Sequence, residues 1–406
     1  MNVDRLGDLK KVWLPAALYF SANALFVYKY GARTPLGSYS ALLLYAGLFA
    51  AALPVYLNFI GSRIDKLKPA RFAAVYWGMF GFFAVAALVI LFKTDPMSVG
   101  VDRWSALDGF ISHLFAGKYP YLATSHLGNQ VAPMPVMNFI SIPPYLMGDV
   151  GYLQIIVFAA AAAVVFCSGA AKSGKTLFML AFLAAPAFWY EVAARSDLVS
   201  NITLMCLGLL LIEKITNGDP LKRPVKTGCI SGLLFCTRGV FIIPFTVFFF
   251  ARSVSALKAA NIRQCLLFAG SAAAVFAATL LPFVLWNLEA FEHNGPLAVQ
   301  TNKTPTAVQF SAIALAALLS FNARSIGALF SRTAICMFAL MSATLIFRIL
   351  TVGWNTAIFS HRFDITYYST IIPFIIFGTL FGRNSTKETD FTTWEVGRGL
   401  SSSAGG

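Results

Sequence analysis

Charge is scarce in this chain. Asp, Glu, Lys and Arg make up 12 % of its 406 residues, about half the share carried by a water-soluble protein of this size. A soluble core is thereby excluded. Acids are scarcer than bases, 17 against 31, which leaves a net charge of +14. The bases lie in short loops, so membrane topology and anionic lipid head groups account for them, and nucleic acid is not expected as a partner. Cysteines are few. Cys167, Cys206, Cys229, Cys236, Cys265 and Cys336 all fall within or at the ends of apolar runs, show no metal-like pairing and need no disulfide partner. No His/Cys/Asp grouping has ligand spacing, so neither a metal nor another cofactor is expected.

Apolar residues supply what charge does not: 58 % of the chain is hydrophobic and the mean hydropathy is +0.71. This predicts an all-α, polytopic membrane helix bundle. Residues 1–392 form one membrane domain, and 393–406, ending in GLSSSAGG, read as a flexible tail or an appended remnant. The run at 12–28 lacks a small-residue cleavage site and reads as a first span rather than a signal peptide. Runs at 40–59 and 72–92 follow, each near the length that crosses about 30 Å of hydrocarbon. Between them Arg63, Lys66, Lys68 and Arg71 face one acid, Asp65, which places that loop in the cytoplasm. Residues 93–131 then lie outside. Residues 132–148 carry Pro133, Pro135, Pro143 and Pro144 and read as a re-entrant or interfacial segment. That choice keeps Lys172 and Lys175 in the cytoplasm. Spans at 152–168, 176–192, 199–213, two short helices within 228–251 turning at Thr237-Arg238-Gly239, then 264–286, 306–320, 332–350 and 366–382 complete about twelve crossings. Both termini are cytoplasmic, and a bacterial inner (cytoplasmic) membrane is the expected location.

This topology gathers the unusual polar residues at one face. Asp102, Asp108, Arg195, Asp197, Arg238, Glu289, Glu292, His293, His361, Arg362 and Asp364 all map to the outer face or just beneath it, mostly flanked by apolar sequence. Each alone is read as well by snorkelling or by an ion pair such as Arg195–Asp197. As a set they point to a site. The outer loop 93–151, and within it 100–148, holds the densest part: Asp102, Asp108, the GKYPY run with Tyr119 and Tyr121, and the four prolines. The plainer reading is an amphipathic hairpin that plugs the bundle. One motif is misleading: GAAKSGKT at 169–176 satisfies a phosphate-loop pattern, but apolar spans flank it where that loop needs a strand and a soluble sheet. A tight basic turn explains it.

The stretch at 100–148 resembles the first outer loop of the GT-C superfamily of polytopic glycosyltransferases, most closely its polyprenyl-phosphate-mannose-dependent mannosyltransferase branch. The resemblance rests on Gly100-Val-Asp102, on Gly117-Lys-Tyr-Pro-Tyr121 and on the proline-rich APMPVMNFISIPPYLMG. It extends to AAPAFWYEVAARSDLVSNITL at 184–204, GLLFCTRGVFIIP at 232–244 and HRFDITYYSTIIP at 361–373. Two departures stand beside it: two additional spans before the loop where many members have one, and Arg103-Trp104 directly after Asp102 where many relatives carry an aliphatic or acidic residue.

The resemblance implies a transferase that moves a sugar, mannose or another hexose or pentose, from a polyprenyl-phosphate donor to a glycolipid or glycan acceptor. Asp102 is then the base, inverting the anomeric centre in one displacement. A lipid phosphate is already a good leaving group, so cations must hold it rather than an acid protonate it. Arg238 is the favoured phosphate ligand, His361 and Arg362 come next and Arg195 after them; Asp108, Tyr119, Tyr121 and Asp197 orient sugar or acceptor. The bland reading of Asp102 is a cap on the helix that begins at Arg103. Two other functions stay open: a flippase or transporter of a lipid-linked sugar, and an inactive subunit that binds lipid carriers for a partner enzyme. A transporter is expected to show repeat symmetry and broken helices near the midplane, which the sequence does not display.

Overall fold

The computed structural model describes residues 3–301, 304–323, 325–359 and 363–382, with side chains described from Trp13 onward. His361, Arg362 and the tail at 393–406 lie outside the described residues. Among the described residues the fold is all helix, with no strand beyond one isolated antiparallel bridge, Thr124 to Gln130. In chain order the helices are α1 (Val3–Gly31), α2 (Gly37–Val55), α3 (Gly61–Asp65), α4 (Pro69–Lys93), α5 (Arg103–Phe115), α6 (Pro135–Ile140), α7 (Ile142–Leu146), α8 (Tyr152–Phe166), α9 (Lys172–Leu183) and α10 (Pro186–Ala193). There follow α11 (Leu198–Thr216), α12 (Pro224–Phe235), α13 (Ile242–Lys258), α14 (Ile262–Trp286), α15 (Leu288–Asn294), α16 (Pro296–Thr301), α17 (Thr306–Ser320), α18 (Ile326–Val352), α19 (Trp354–Phe359) and α20 (Ile371–Gly382).

Seven of these units are long and apolar enough to cross a membrane, among the described residues: Gly37–Asp65, Pro69–Lys93, Leu198–Thr216, Gly239–Lys258, Ile262–Trp286, Ile326–Val352 and Ile365–Gly382. An eighth is reached if α9 and α10, bent by 57° at their junction, make one broken span. Pro186 sets that break, because proline at the first helical position cannot extend the preceding ladder. Such a broken helix is absent from the sequence reading. Helices α8, α12 and α17 have 15, 12 and 15 residues, short of the ~20 that span hydrocarbon unaided. The spanning helices leave large apolar side chains outward, among them Leu43, Phe82, Phe92, Leu285 and Leu350. Exposed apolar area of that extent belongs against lipid, so the protein is membrane-embedded.

Residues 132–148 fold as α6 and α7, six and five residues long; at 1.5 Å per residue neither approaches ~30 Å. Contacts at the far end tie together the turns that flank this region. Lys172 donates to the carbonyl of Leu67, and the Ser173 amide donates to Asp65 at 2.8 Å, so the turns on either side of this region share one end of the bundle. Lys172 and Lys175, the lysines of the phosphate-loop lookalike, are spent on carbonyls: Lys175 donates to Phe166 at 2.7 Å.

The hairpin read at 228–251 turns through Thr237–Gly239 as expected, but its arms are not two short helices: α12 is short, whereas α13 belongs to the unit Gly239–Lys258, long enough to span. Helix α12 lies against α14 through Gly228 and Gly232, a small-x-x-x-small pair. A Cβ on Gly232 meets the Ala272 carbonyl at 2.6 Å, and one on Gly228 collides with Ser271 and the Phe268 carbonyl. Backbone contact this close leaves no room for a methyl group. Gly228→Ala should therefore cost about 1–3 kcal/mol by overpacking, whereas Gly270→Ala on α14, which faces open space, should leave thermal unfolding of the purified protein unchanged or slightly raised.

Candidate functional site

Asp102 sits in the residue before α5, yet its side chain does not cap that helix. Instead Oδ2 accepts hydrogen bonds from the hydroxyl of Ser125 and from Asn129 Nδ2, the latter at 2.7 Å. Ser125 and Asn129 belong to the loop after the GKYPY run, which closes back on itself through the Ser125 amide and the Asn129 carbonyl at 2.8 Å. Asp102 Oδ1 takes no hydrogen bond among the described residues. Beside it, Ser105 bonds His126 Nδ1 at 2.7 Å, and the His126 ring lies 5.7 Å from Trp104.

Arg103, read from sequence only as a departure, is the hub. It ion-pairs with Asp364, donates to Thr366 Oγ1 at 2.8 Å and to Ser196 Oγ at 3.2 Å, and lies 4.0 Å from Glu191. Tyr367 presents its ring face at 5.3 Å from the guanidinium carbon. The next link runs through Ser196 to its neighbour Asp197, which takes a forked pair from Arg238: Nη2 at 2.7 and 2.8 Å and Nε at 3.1 Å. Both partners are buried. Arg103, Asp364, Thr366 and Ser196 thus form one polar network, which the Arg238–Asp197 pair adjoins at the Ser196–Asp197 chain bond; Asp102 bonds Ser125 and Asn129 and is the chain neighbour of Arg103.

The other expected residues lie elsewhere. Arg195 does not pair with Asp197. Its Nε donates to Asp149 at 2.7 Å, and its remaining nitrogens cap the end of α4 at the carbonyls of Leu91 (2.6 Å) and Thr94 (3.2 Å). It does so from a left-handed backbone, φ +49°, a conformation held only where surrounding contacts enforce it. Tyr119 and Tyr121 turn their hydroxyls to the carbonyls of Phe283 and Pro133. Their rings form a small core with Phe110, Phe283 and Trp286 that seats the loop on α14. Burial pushes the Tyr119 hydroxyl up to about 12. Asp108 is half-buried on α5, and burial together with neighbouring Asp149 holds its carboxyl above the usual range.

A cavity of about 460 Å³ lies along the network. Leu198, Ile202, Ile243, Ile313, Met337 and Leu340 give it aliphatic walls; Arg238, Gln300, Arg348, Asp364 and Tyr367 supply its polar points. Arg238 commits Nε and Nη2 to Asp197, and its Nη1 has no hydrogen-bond partner among the described residues. Gln300 ties the loop to the hairpin tip, donating to the Ala132 carbonyl at 2.6 Å and accepting from the Gly239 amide at 2.8 Å. The amides of Met134 and Val136 add bonds to the carbonyls of Thr237 and Cys236. An apolar chamber with a few fixed cations suits a lipid that carries an anionic head.

The sequence reading missed Arg103, Ser125, Asn129, His126 and Glu191. Glu191 had the best signal, a lone carboxylate within an apolar run; it is fully buried, with Arg103 4.0 Å away. Among the described residues no grouping of His, Cys, Asp and Glu could hold a metal ion.

The two carboxyls should respond oppositely to pH. Burial drives the Asp364 carboxyl up, but Arg103 and the hydrogen bonds from Thr366 outweigh it and hold the group below the usual range. Its stabilising contribution is complete above the unfolded value, about 3.9, and is lost as pH falls through the lower folded value. Asp108, raised in the fold, contributes below its unfolded value and loses that contribution as pH rises through the folded one. The advantage of the wild type over Asp364→Asn in thermal unfolding should thus begin to shrink as pH falls below about 4 and shrink further with more acid. Against Asp108→Asn, the wild type should instead gain.

No protein-family model, curated protein or solved structure matches this chain.

Proposed function

We propose that the chain is a membrane glycosyltransferase of the GT-C kind, moving a sugar from a polyprenyl-phosphate donor to a glycolipid or glycan acceptor. The observation that carries this reading is the aliphatic cavity with Arg238 and Asp364 in its wall, Asp364 being ion-paired to Arg103, the chain neighbour of Asp102. In this reading the polyprenyl end lies along Ile202, Ile313 and Met337, and the phosphate meets Arg238 Nη1. Asp197 grips the other two nitrogens, so the guanidinium is oriented before the donor arrives, which lowers the ordering cost of binding. The acceptor hydroxyl gives its proton to Asp102, through the Oδ1 that the Ser125 and Asn129 bonds leave open. The hydroxyl oxygen then bonds the anomeric carbon as the carbon–phosphate oxygen bond breaks, with inversion. The leaving phosphate keeps the electron pair, so no general acid is required.

Twelve crossings complete the proposal: α1, α2 with α3, α4, α8, the broken α9–α10, α11, α12, α13, α14, α17, α18 and α20. The basic turns around Lys66, Lys172, Lys222 and Lys258 face the cytoplasm by the positive-inside rule. The loop, Arg195 and Arg238 face outward, in a bacterial inner membrane. A transporter reading draws on the bend between α9 and α10. Inverted-repeat transporters break helices in corresponding positions of both halves, and among the described residues one bent pair is present.

Asp102→Asn keeps the shape and removes the basicity. We expect it to lower transfer by about 10²-fold or more, with donor binding and folding retained. Asp108→Asn should keep most activity, and near-wild-type turnover by a folded Asp102→Asn protein would sink the assignment. Arg238→Lys should bind donor more weakly because the fork to Asp197 is lost. Cysteine labelling from the two sides should separate position 172 from position 238; labelling both from one side rules out this topology.

A further inference from the structure

A larger cavity, about 910 Å³, opens at the other end of α13. The first cavity touches this helix at Ile242 and Ile243; the second touches it from Val247 to Ala259. Ser255 lies 13 residues beyond Ile242, roughly 20 Å along the axis at 1.5 Å per residue. The two linings share no residue, and they come nearest on α13 at Ile243 and Val247.

The second chamber joins two basic turns that are far apart in sequence. Lys222 comes from the turn after α11, Arg252 from α13 and Arg263 from the first turn of α14. Asp219 is the one carboxylate in the lining, and its Oδ1 already accepts from the Leu221 amide at 3.1 Å. Glu213 on α11 stands behind Arg252 at 3.6 Å. Lys222 and Arg263 are exposed and have no ion-pair partner among the described residues. Beside these cations the walls combine apolar Phe248, Leu267 and Phe321 with polar Ser255, Asn261 and Gln264. Cations with hydrocarbon beside them complement a molecule with an anionic head and an acyl chain.

We propose that this chamber binds an anionic glycerophospholipid, with its phosphate between Lys222 and Arg263 and its acyl chain against Phe248, Leu267 and Phe321. The occupant is a lipid rather than a free phosphate because Phe248, Leu267 and Phe321 give the chamber an apolar wall beside its polar one, and an inorganic anion cannot use that wall. Arg252, neutralised by Glu213, shapes the floor. The bound lipid bridges α13, α14 and the 219–222 turn, and so stabilises the bundle at the end opposite the first cavity. This site does not rest on the transferase reading, since no residue of that network takes part.

The test is lipid titration of the purified full-length protein by native mass spectrometry, with thermal unfolding in parallel. Phosphatidylglycerol should bind more tightly than phosphatidylcholine and raise the unfolding temperature more. The double variant Lys222→Gln/Arg263→Gln should lower that preference by about 5- to 30-fold, the scale of two cations near a lipid surface. Equal binding of the two lipids, or an unchanged preference in the double variant, overturns the site. Displacement of the lipid by inorganic phosphate at equal concentration shows an anion site alone and overturns the lipid assignment. Should the double variant fail to fold, phosphatidylglycerol with a photoreactive acyl chain answers on the wild type. Adducts within 247–259, 264–267 or 320–329 support the proposal, and adducts confined elsewhere refute it.

Discussion

The Arg103 guanidinium joins three regions of the structure through polar contacts at a single side chain. One is the loop that contains it, another the bend between α10 and α11 at Ser196, and the third the entry to the last helix at Asp364 and Thr366. A guanidinium removed this far from water needs partners for its donors, and here a carboxylate, two hydroxyls and an aromatic face meet that need. Loss of Asp364 leaves a poorly compensated cation, which is why this contact governs the loop's position more than any apolar neighbour does. Asp102 follows passively. Its place is set by Arg103 on one side and by Ser125 and Asn129 on the other.

The second constraint is close backbone packing. Lipid offers helices no hydrophobic gain for associating, so association depends on fit and on hydrogen bonds. Gly228 and Gly232 provide the fit where α12 meets α14, and Gly327 and Gly378 where α18 meets the last helix, against Gly382 and Ser331. A short helix such as α12 can be held in place by such contact. The hairpin tip bearing Arg238 then stays where Asp197 can fork it, and the amides of Met134 and Val136 fix α6 to the same tip.

Much of this arrangement was legible in the residues. Long apolar runs marked the spanning helices, four prolines in seventeen residues marked a segment broken into two short helices, and Thr237-Arg238-Gly239 marked the hairpin turn. What was not legible depends on distant pairing. Arg103 finds Ser196 and Asp364 at separations of 93 and 261 residues, and no local pattern announces either. Arg195 and Asp197 look like each other's partners because they are adjacent but one, yet a left-handed backbone at Arg195 sends it to Asp149 and leaves Asp197 to Arg238. The tyrosines of the GKYPY run look like substrate contacts, but their hydroxyls serve backbone carbonyls beneath the loop. Polar residues in an apolar chain attract a functional reading even when their work is to hold a loop down.

The central claim is that the cavity beside Arg238 serves chemistry on a lipid-linked sugar. The most direct measurement gives the purified wild-type protein, in lipid vesicles, a panel of polyprenyl-phosphate sugars together with a glycolipid acceptor. The account predicts that at least one donor is consumed, that polyprenyl phosphate appears in equal amount, and that the new glycosidic bond has the opposite anomeric configuration. Passage of intact donor across the vesicle membrane, with no polyprenyl phosphate released from any member of the panel, would contradict it.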